Sequence, residues 1–490
     1  MTDNDTIAAV STAHGEGGIG IIRVSGDKAA KILESIFIPA GDNKPDGLEF
    51  SDKTMYYGHI ADPSSSETID EVLVVFMKGP KSYTGEDVCE IQCHGGNIPL
   101  KRILDVVISL GATPAQPGEF TKRAFLNGRL DLLQAGAVID LIRSKTDRGY
   151  QSAKEQAEGH LSEKVRAVRE DLLGLLADVA VRIDYPEAFE PDETNEAFSE
   201  NENNDEKNDA MLEKLQESES VIASLLEGAE AGRIIRDGIR VVIIGKPNTG
   251  KSSLFNAMSR EDAAIVTATP GTTRDALEIW LDVRGIPVLL TDTAGIRESE
   301  EEIEALGIER ALDQYQRADI AIFLLDGSKV LSKEDYDIAK NLDKEKKHIL
   351  VINKTDLPQE LKEQEAVLLL PEETRKGTEI IKLSLIGDEQ YKMNEAGDGM
   401  KAIENKIEAL IIGGVSAGHS LLVTKAGHKR LLEIAISEIE EAKAILRTHE
   451  APEFAEVNIR AAWMALGELI GEQVTDEIIN KVFEEFCVGK

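Results

Sequence analysis

Cysteine is scarce in this chain: three residues in 490, at Cys89, Cys93 and Cys487. So few thiols exclude a disulfide-stapled scaffold and suggest a reducing compartment. Long hydrophobic runs are missing too. No stretch of about 18 apolar residues occurs, so no membrane-spanning helix and no membrane partner are expected. The opening "MTDNDTIAAV" lacks a basic segment followed by an apolar one, and no secretory signal is expected. A cytoplasmic protein is the resulting expectation. Positive charge is in short supply, with 55 Lys and Arg against 90 Asp and Glu, a net charge of −35. Bulk electrostatics therefore argue against wholesale nucleic-acid binding, while leaving room for a local basic patch that meets an RNA. Much of the acid lies in "PEAFEPDETNEAFSENENNDEKNDAMLEKLQESES", whose first two-thirds read as a solvated, mobile loop.

What is present is a chain 42% hydrophobic, enough for real cores and for two to four domains of roughly 100–200 residues each. Residues 1–128 read as short strands, "TIAAVST", "IGIIRVSG", "EVLVVFMKG" and "VCEIQCHGG", with a helix at "IPLKRILDVVISLGA", a small α+β domain. Residues 129–237 turn helical, with apolar residues three and four apart in "SEKVRAVREDLLGLLADVAVRI". Over 238–413 apolar strands alternate with helical segments, "RVVIIG", "VLLTDTAG", "IAIFLLDGS", "HILVINKTD" and "EIIKLSL", which predicts a mostly parallel sheet covered by helices. Residues 414–490 are helical again. An α/β domain inserted in an all-helical one is the expected organisation. Cys89 and Cys93, in an alternating apolar stretch with His94, lie about 13 Å apart along a strand, too far for a disulfide, and read as buried packing cysteines. "GEGGIG" fits the dinucleotide pattern, but β-branched "IIRV" follows in place of a helix, so dinucleotide binding is rejected.

"GKPNTGKS", Gly245 to Ser252, follows the strand "RVVII" and opens the helix "KSSLFNAM", the setting of a phosphate loop. Glycines let backbone N–H groups curl around phosphates, and the helix N-terminus adds favourable partial charge. Asn248, Thr249, Gly250, Lys251, Ser252 and Ser253 are candidate nucleotide contacts. Lys251 is placed for the β- and γ-phosphates and Ser252 for Mg²⁺. "DTAG" (Asp292, Thr293, Ala294 and Gly295) follows a buried strand; its carboxylate suits the Mg²⁺ shell and Gly295 a γ-phosphate. "NKTD" ends another strand, with Asn353, Lys354 and Asp356. A carboxylate there accepts both guanine N1–H and N2–H, a donor pair that adenine lacks, so GTP is the expected nucleotide. Between these elements Thr267, Ala268, Thr269, Pro270, Gly271, Thr272 and Thr273 form a polar loop suited to switching, with Thr273 a second Mg²⁺ ligand. Ile296 follows "DTAG", where many GTPases carry a water-positioning glutamine. Spacing alone does not choose among Glu300, Glu301, Glu302 and Glu304 as its substitute.

These motifs, together with "GGIGIIRVSG", "SYTGEDVCEIQCHGG", "PGEFTKRAFLNGRLDL", "LGELIGEQVTDEII" and the closing "FCVGK", resemble the MnmE (TrmE) family of tRNA modification GTPases along nearly the whole chain. The resemblance implies a Ras-like G domain inserted in the helical domain and an N-terminal domain that binds folate and forms a homodimer. It also implies a heterotetramer with the FAD-containing MnmG (GidA) and a tRNA substrate. An aminomethyl-type group would be installed at C5 of wobble uridine 34, with a tetrahydrofolate derivative (5-formyl- or 5,10-methylene-) as one-carbon donor. Arg23, Glu90 and Lys490 match folate-contacting positions, and Arg129 stands where the family often has lysine. Hydrolysis would be activated by K⁺, with Asn248, Thr267, Thr269 and Thr272 at the potassium positions and Glu304 at that of the water-activating glutamate. Ser384, Leu385 and Ile386 replace the usual Ser-Ala-x behind guanine. Cys487 fits prenylation poorly, since Gly489 and Lys490 follow it and no polybasic segment precedes it. A packing cysteine and a functional thiol stay open on the residues alone; the family's Cys-Ile-Gly-Lys ending favours the functional thiol. A different class, a ribosome-assembly GTPase acting as an RNA-binding switch, shares "TPGTTRD" but predicts a basic module that this acidic chain does not offer.

Overall fold

The computed structural model describes residues 5–13, 15–41, 49–184, 200–259, 265, 277–292, 312–375, 378–385, 395–412, 423–448 and 453–489, with backbone alone for 200–207, 277 and 395–398. Contacts divide the chain into two compact units. One comprises Met1–Ile139, Gln156–Glu170 and Trp463–Lys490; the other comprises Asp140–Glu155 and Asp171–Ala462.

The first unit is built on seven strands: β1 Ile7–Val10, β2 Gly17–Ser25, β3 Phe37–Pro39, β4 Met55–Ala61, β5 Thr68–Met77, β6 Val88–Gly95 and β7 Thr113–Pro114. Their order across the sheet is β3-β4-β5-β6-β2-β1-β7, antiparallel except for the β1–β7 pair. Alternation decides the faces. Ile22 and Val24 on β2, Val72 and Val74 on β5, and Cys89, Ile91 and Cys93 on β6 are buried in one cluster with Ile32, Leu33, Leu100 and Ile103 of two covering helices. Each large aliphatic side chain taken out of water there contributes about 1.5–3 kcal/mol. Both β6 cysteines pack as expected: Cys89 Sγ lies 3.7 Å from Ala29 O, and Cys93 Sγ lies 3.5 Å from Gly20 O. Burial pushes the Cys93 thiol up to about 11 and Cys89 higher still, so neither is a thiolate at neutral pH. "GGIG" runs straight into β2, as the rejection of a dinucleotide fold requires.

The chain's last residues return to this sheet. Helix Asp476–Glu484 buries Ile479 and Phe483, which join Phe486, Leu132, Ala135 and Ile139 in one cluster. Beyond it Val488 forms an antiparallel bridge with Pro117, and Ser11 Oγ donates to Gly489 O at 3.1 Å.

The second unit carries β8 Ile239–Ile244, β9 Leu277–Val283, β10 Ile286–Asp292, β11 Ile320–Asp326, β12 Lys347–Asn353 and β13 Ile380–Lys382. The sheet order is β13-β12-β11-β8-β10-β9, parallel but for β9. Residues of β10 and β11 are buried throughout, the near-continuous apolar run typical of a strand covered on both faces. Helices Glu200–Glu227 and Ala426–Arg447 pair in this unit. The first of them begins at Glu200, inside the segment expected to be a loop. Residues 185–199 lie outside the described part of the chain. No helix among the described residues is long and apolar enough to cross a membrane.

Candidate functional site

The loop from Gly245 to Gly250 links β8 to helix Lys251–Met258. Close approach explains its glycines. A β-carbon at Gly245 would lie 2.4 Å from Leu324 O, and one at Gly250 2.3 Å from Asn353 Nδ2, with φ of +152° and +102° respectively. Asn248 also has positive φ, at 62°, a conformation that asparagine tolerates better than most residues. The loop therefore carries consecutive backbone groups curled into a concave anion-binding nest, ending on a helix N-terminus.

Side chains pin this nest from behind. Asn353 Nδ2 donates to Thr249 O at 2.8 Å. Lys354 Nζ donates to Asn248 O at 2.9 Å and pairs with Asp326 Oδ2 at 2.7 Å. Asp326 was not among the expected residues. It ends the apolar strand β11 inside "LLDGS", a signal of the same kind as the Asp292 that ends β10. Burial pushes the Asp326 carboxyl up, but its hydrogen bonds from Lys354 and Ser328 outweigh that and hold it below the usual carboxylate range. Lys251 Nζ donates to Gly245 O at 2.8 Å and Lys246 O at 2.9 Å. Burial holds its ammonium below the ordinary lysine value, while Asp292 pulls the other way. Ser252 Oγ donates to Asp292 Oδ2 at 3.0 Å, and Asp292 is 1% exposed. A hydroxyl beside a buried carboxylate is a hard-oxygen pair of the kind Mg²⁺ takes, so these residues fit that ion. Exposed Asp356 is held by the hydroxyl of Ser384. Leu385 is half-buried next to it, and Ser253 is exposed on the first turn of the helix.

A second cluster lies in the first unit. Arg23 and Glu90 face each other across β2 and β6, with Nε and Nη2 of the arginine 2.9 and 2.8 Å from Glu90 Oε1. The Arg23 guanidinium carbon sits 5.3 Å from the Tyr83 ring centroid and 5.6 Å from that of Phe120. Arg129 lies against the same tyrosine at 4.9 Å and donates to Tyr83 O at 2.8 Å. Two of the four expected residues, Arg23 and Arg129, thus lie against Tyr83, which the sequence reading had not singled out, and Glu90 joins them through Arg23. Its aromatic ring inside "SYTGED" was the available signal. Cys487 is exposed, and its carbonyl accepts the Gly118 N–H at 3.3 Å. It is not a buried packing cysteine. Thr267, Ala268, Thr269, Pro270, Gly271, Thr272, Thr273, Thr293, Ala294, Gly295, Glu304, Ile386 and Lys490 lie outside the described residues.

Comparison with known proteins adds a family to this geometry. A family model described as "GTP-binding protein TrmE N-terminus" matches residues 6–129, and one described as "MnmE helical domain" matches residues 132–487. The chain is 46% identical to the tRNA modification GTPase MnmE of Alkaliphilus oremlandii, covering 100% of both chains. It is 42% identical to the protein of the same name from Clostridioides difficile, again covering 100% of both. Among solved structures, Era of Aquifex aeolicus bound to GDP and AlF4⁻ is 27% identical over 34% of this chain and 56% of its own, with a TM-score of 0.25, a likeness too limited to add to the family assignment.

Proposed function

Because this chain belongs to the MnmE family of tRNA modification GTPases, we propose that its phosphate loop binds GTP and that hydrolysis there serves modification of the wobble uridine of tRNA. The chain is accordingly a GTP hydrolase. The observation that carries the reading is the loop pinned through Asn353 and Lys354: the strand end that presents Asp356 to a guanine also shapes the phosphate cradle. Lys251 leaves its two carbonyls for the β- and γ-phosphates, and the loop's N–H groups neutralise the charge around them. Ser252 and Thr273 would hold Mg²⁺, with Asp292 hydrogen-bonded to Ser252, and the ion would supply positive charge to offset that of the phosphates. Asn248, Thr267, Thr269 and Thr272 would hold K⁺, which would supply a further positive charge for hydrolysis, and Glu304 would orient the water.

The proposed organisation is a folate-binding, dimerising domain at 1–128, a helical domain at 129–237 and 414–490, and a Ras-like G domain at 238–413 inserted within it. Arg23, Glu90, Arg129 and Lys490 hold the folate. Two guanidinium groups against Tyr83, one of them paired with Glu90, suit a flat pterin with an anionic tail. Cys487 supplies a thiol to the modification, carried out in the cytoplasm by a homodimer with the FAD-containing partner. Two arms test the proposal together. The purified chain is expected to hydrolyse GTP faster in KCl than in NaCl, and tRNA from cells lacking it is expected to lose its C5-modified wobble uridines by nucleoside mass spectrometry. Equal rates in the two salts would remove the cation site; unchanged nucleosides would remove the tRNA role.

Guanine selection has its own test. An amide at position 356 cannot accept both donors of the guanine edge, and each charged hydrogen bond lost costs about 1.5–3 kcal/mol. Asp356→Asn is expected to weaken GTP binding by about tenfold or more and to improve binding of xanthosine triphosphate, as read by competition. Unchanged GTP affinity with no gain for xanthosine would reassign the base-reading carboxylate.

A further inference from the structure

We propose that Asp335 is a positioning residue for the nucleotide site, acting through Lys246 to hold the phosphate loop in its binding shape. This rests on the assignment of GTP to that loop. Lys246 is the second residue of "GKPNTGKS", and nothing in the phosphate-loop pattern calls for a charge there. Its Nζ reaches Asp335 Oδ2 at 2.7 Å and Ser332 Oγ at 3.2 Å. The pair is largely out of water: the Lys246 side chain is 12% exposed and that of Asp335 1%. Asp335 Oδ2 also accepts the Ser332 N–H and hydroxyl, each at 2.8 Å. Oδ1 has no hydrogen-bond partner among the described residues. Compensation of this buried carboxylate therefore depends on the donors gathered at Oδ2, and Lys246 is the charged one.

The backbone of Lys246 explains what the clamp is for. Its carbonyl accepts Lys251 Nζ at 2.9 Å and Thr249 Oγ1 at 3.0 Å. Residue 246 is thus the hub of the loop, with its main chain tied forward to the residues that meet phosphate and its side chain tied back to Asp335. The other ties, from Asn353 to Thr249 O and from Lys354 to Asn248 O, come from the end of β12. Asp335 comes from the start of helix Lys333–Ala339, after β11, and fixes the entry of the loop where they fix its exit. A nest binds phosphate only while successive N–H groups converge, so one peptide turned out of place weakens all contacts at once. Buried ion pairs are poor sources of net stability compared with apolar side chains of the same size. One placed on a phosphate loop is better explained by position than by stability.

That distinction supplies the test. Asp335→Asn and Lys246→Met each leave one buried charge without its partner, and each is expected to lower the melting temperature of the nucleotide-free chain. Each is also expected to raise the dissociation constant for GDP, titrated by calorimetry, about tenfold. KM for GTP should rise by a similar factor while kcat stays within about twofold, because Lys251, Ser252 and Asp292 are untouched. The double variant Lys246→Met with Asp335→Asn removes both charges. It should recover most of the melting temperature yet keep the weakened GDP binding, and Lys246→Arg should retain affinity near the parent value. GDP affinity that recovers with the melting temperature, or is unchanged in the single variants, would overturn the positioning role. A parent chain that fails to bind GDP would instead overturn the nucleotide assignment, and this role with it.

Discussion

Lys251→Met is expected to bind GTP at least about a hundredfold more weakly than the parent chain while unfolding at no lower a temperature. The first half follows from what Lys251 gives to a phosphate. Its ammonium is the cation placed at the head of the helix, and its two hydrogen bonds to Gly245 O and Lys246 O are to neutral carbonyls. Moving to phosphate oxygens replaces them with bonds in which donor and acceptor are both charged, worth about 1.5–3 kcal/mol each. Two such bonds make the factor of a hundred a low figure. The second half follows from the sign of the pKa shift. Burial depresses the folded-state pKa of Lys251, so the fold holds the charged form less well than the unfolded chain does. That penalty is complete below the folded-state pKa and fades as pH rises towards the unfolded value. At neutral pH it is present, and an uncharged side chain of similar length removes it. Calorimetric titration with GTP and scanning calorimetry of the nucleotide-free variant measure the two halves. Near-normal affinity, or a large fall in melting temperature, would show that Lys251 holds the loop together and does not serve a ligand.

Local motifs made most of this site readable from the chain alone. "GKPNTGKS", "DTAG" and "NKTD" each follow an apolar strand, and the parallel sheet brings those strand ends to one edge. The clamp on the loop was not readable. Lys246 and Asp335 are 89 residues apart, and Asp335 in "SKEDY" looks like any solvated first-turn acid. Strand signals failed where the fold itself required a weak strand former. β4 contains Gly58, where a β-carbon would lie 2.1 Å from Ile38 O. Glycine lowers strand propensity, yet here it is what allows β3 to approach. β9 was hidden for a different reason. It is the antiparallel edge strand, and its exposed Glu278 and half-buried Trp280 break the continuous apolar run that marks its neighbours. In the first unit the cations were legible by family likeness. Their arrangement about Tyr83 depends on a side chain carried 60 residues from Arg23, and no periodicity reports that.

Gly489→Ala is expected to abolish wobble-uridine modification while leaving GTP turnover near the parent rate. The glycine has φ of +92°, and an added β-carbon would lie 2.1 Å from Val10 O, with Ser11 Cα at 3.0 Å. Both neighbours are backbone, so neither yields by a rotamer change. Left-handed backbone costs a non-glycine residue roughly 1–2 kcal/mol even without a clash. The hydrogen bond from Ser11 Oγ and the Val488–Pro117 bridge are too few to hold the tail against both. Residues from Cys487 onward should therefore lift, while Phe483 and Phe486, buried at 2% and 5% exposure, keep the preceding helix in place. The fold should survive with a small change in melting temperature, and what is lost is the placement of the Cys487 thiol. Val488→Ala is the matched control. Val488 is 50% exposed, and its contribution to the bridge is backbone, so modification should persist. Nucleoside mass spectrometry of tRNA from cells carrying each variant, with GTP turnover of the purified proteins, reads the outcome. Full modification with Gly489→Ala would mean that a docked tail is not needed for the chemistry. Loss of GTP turnover alongside modification would mean that the substitution acts on more than the tail.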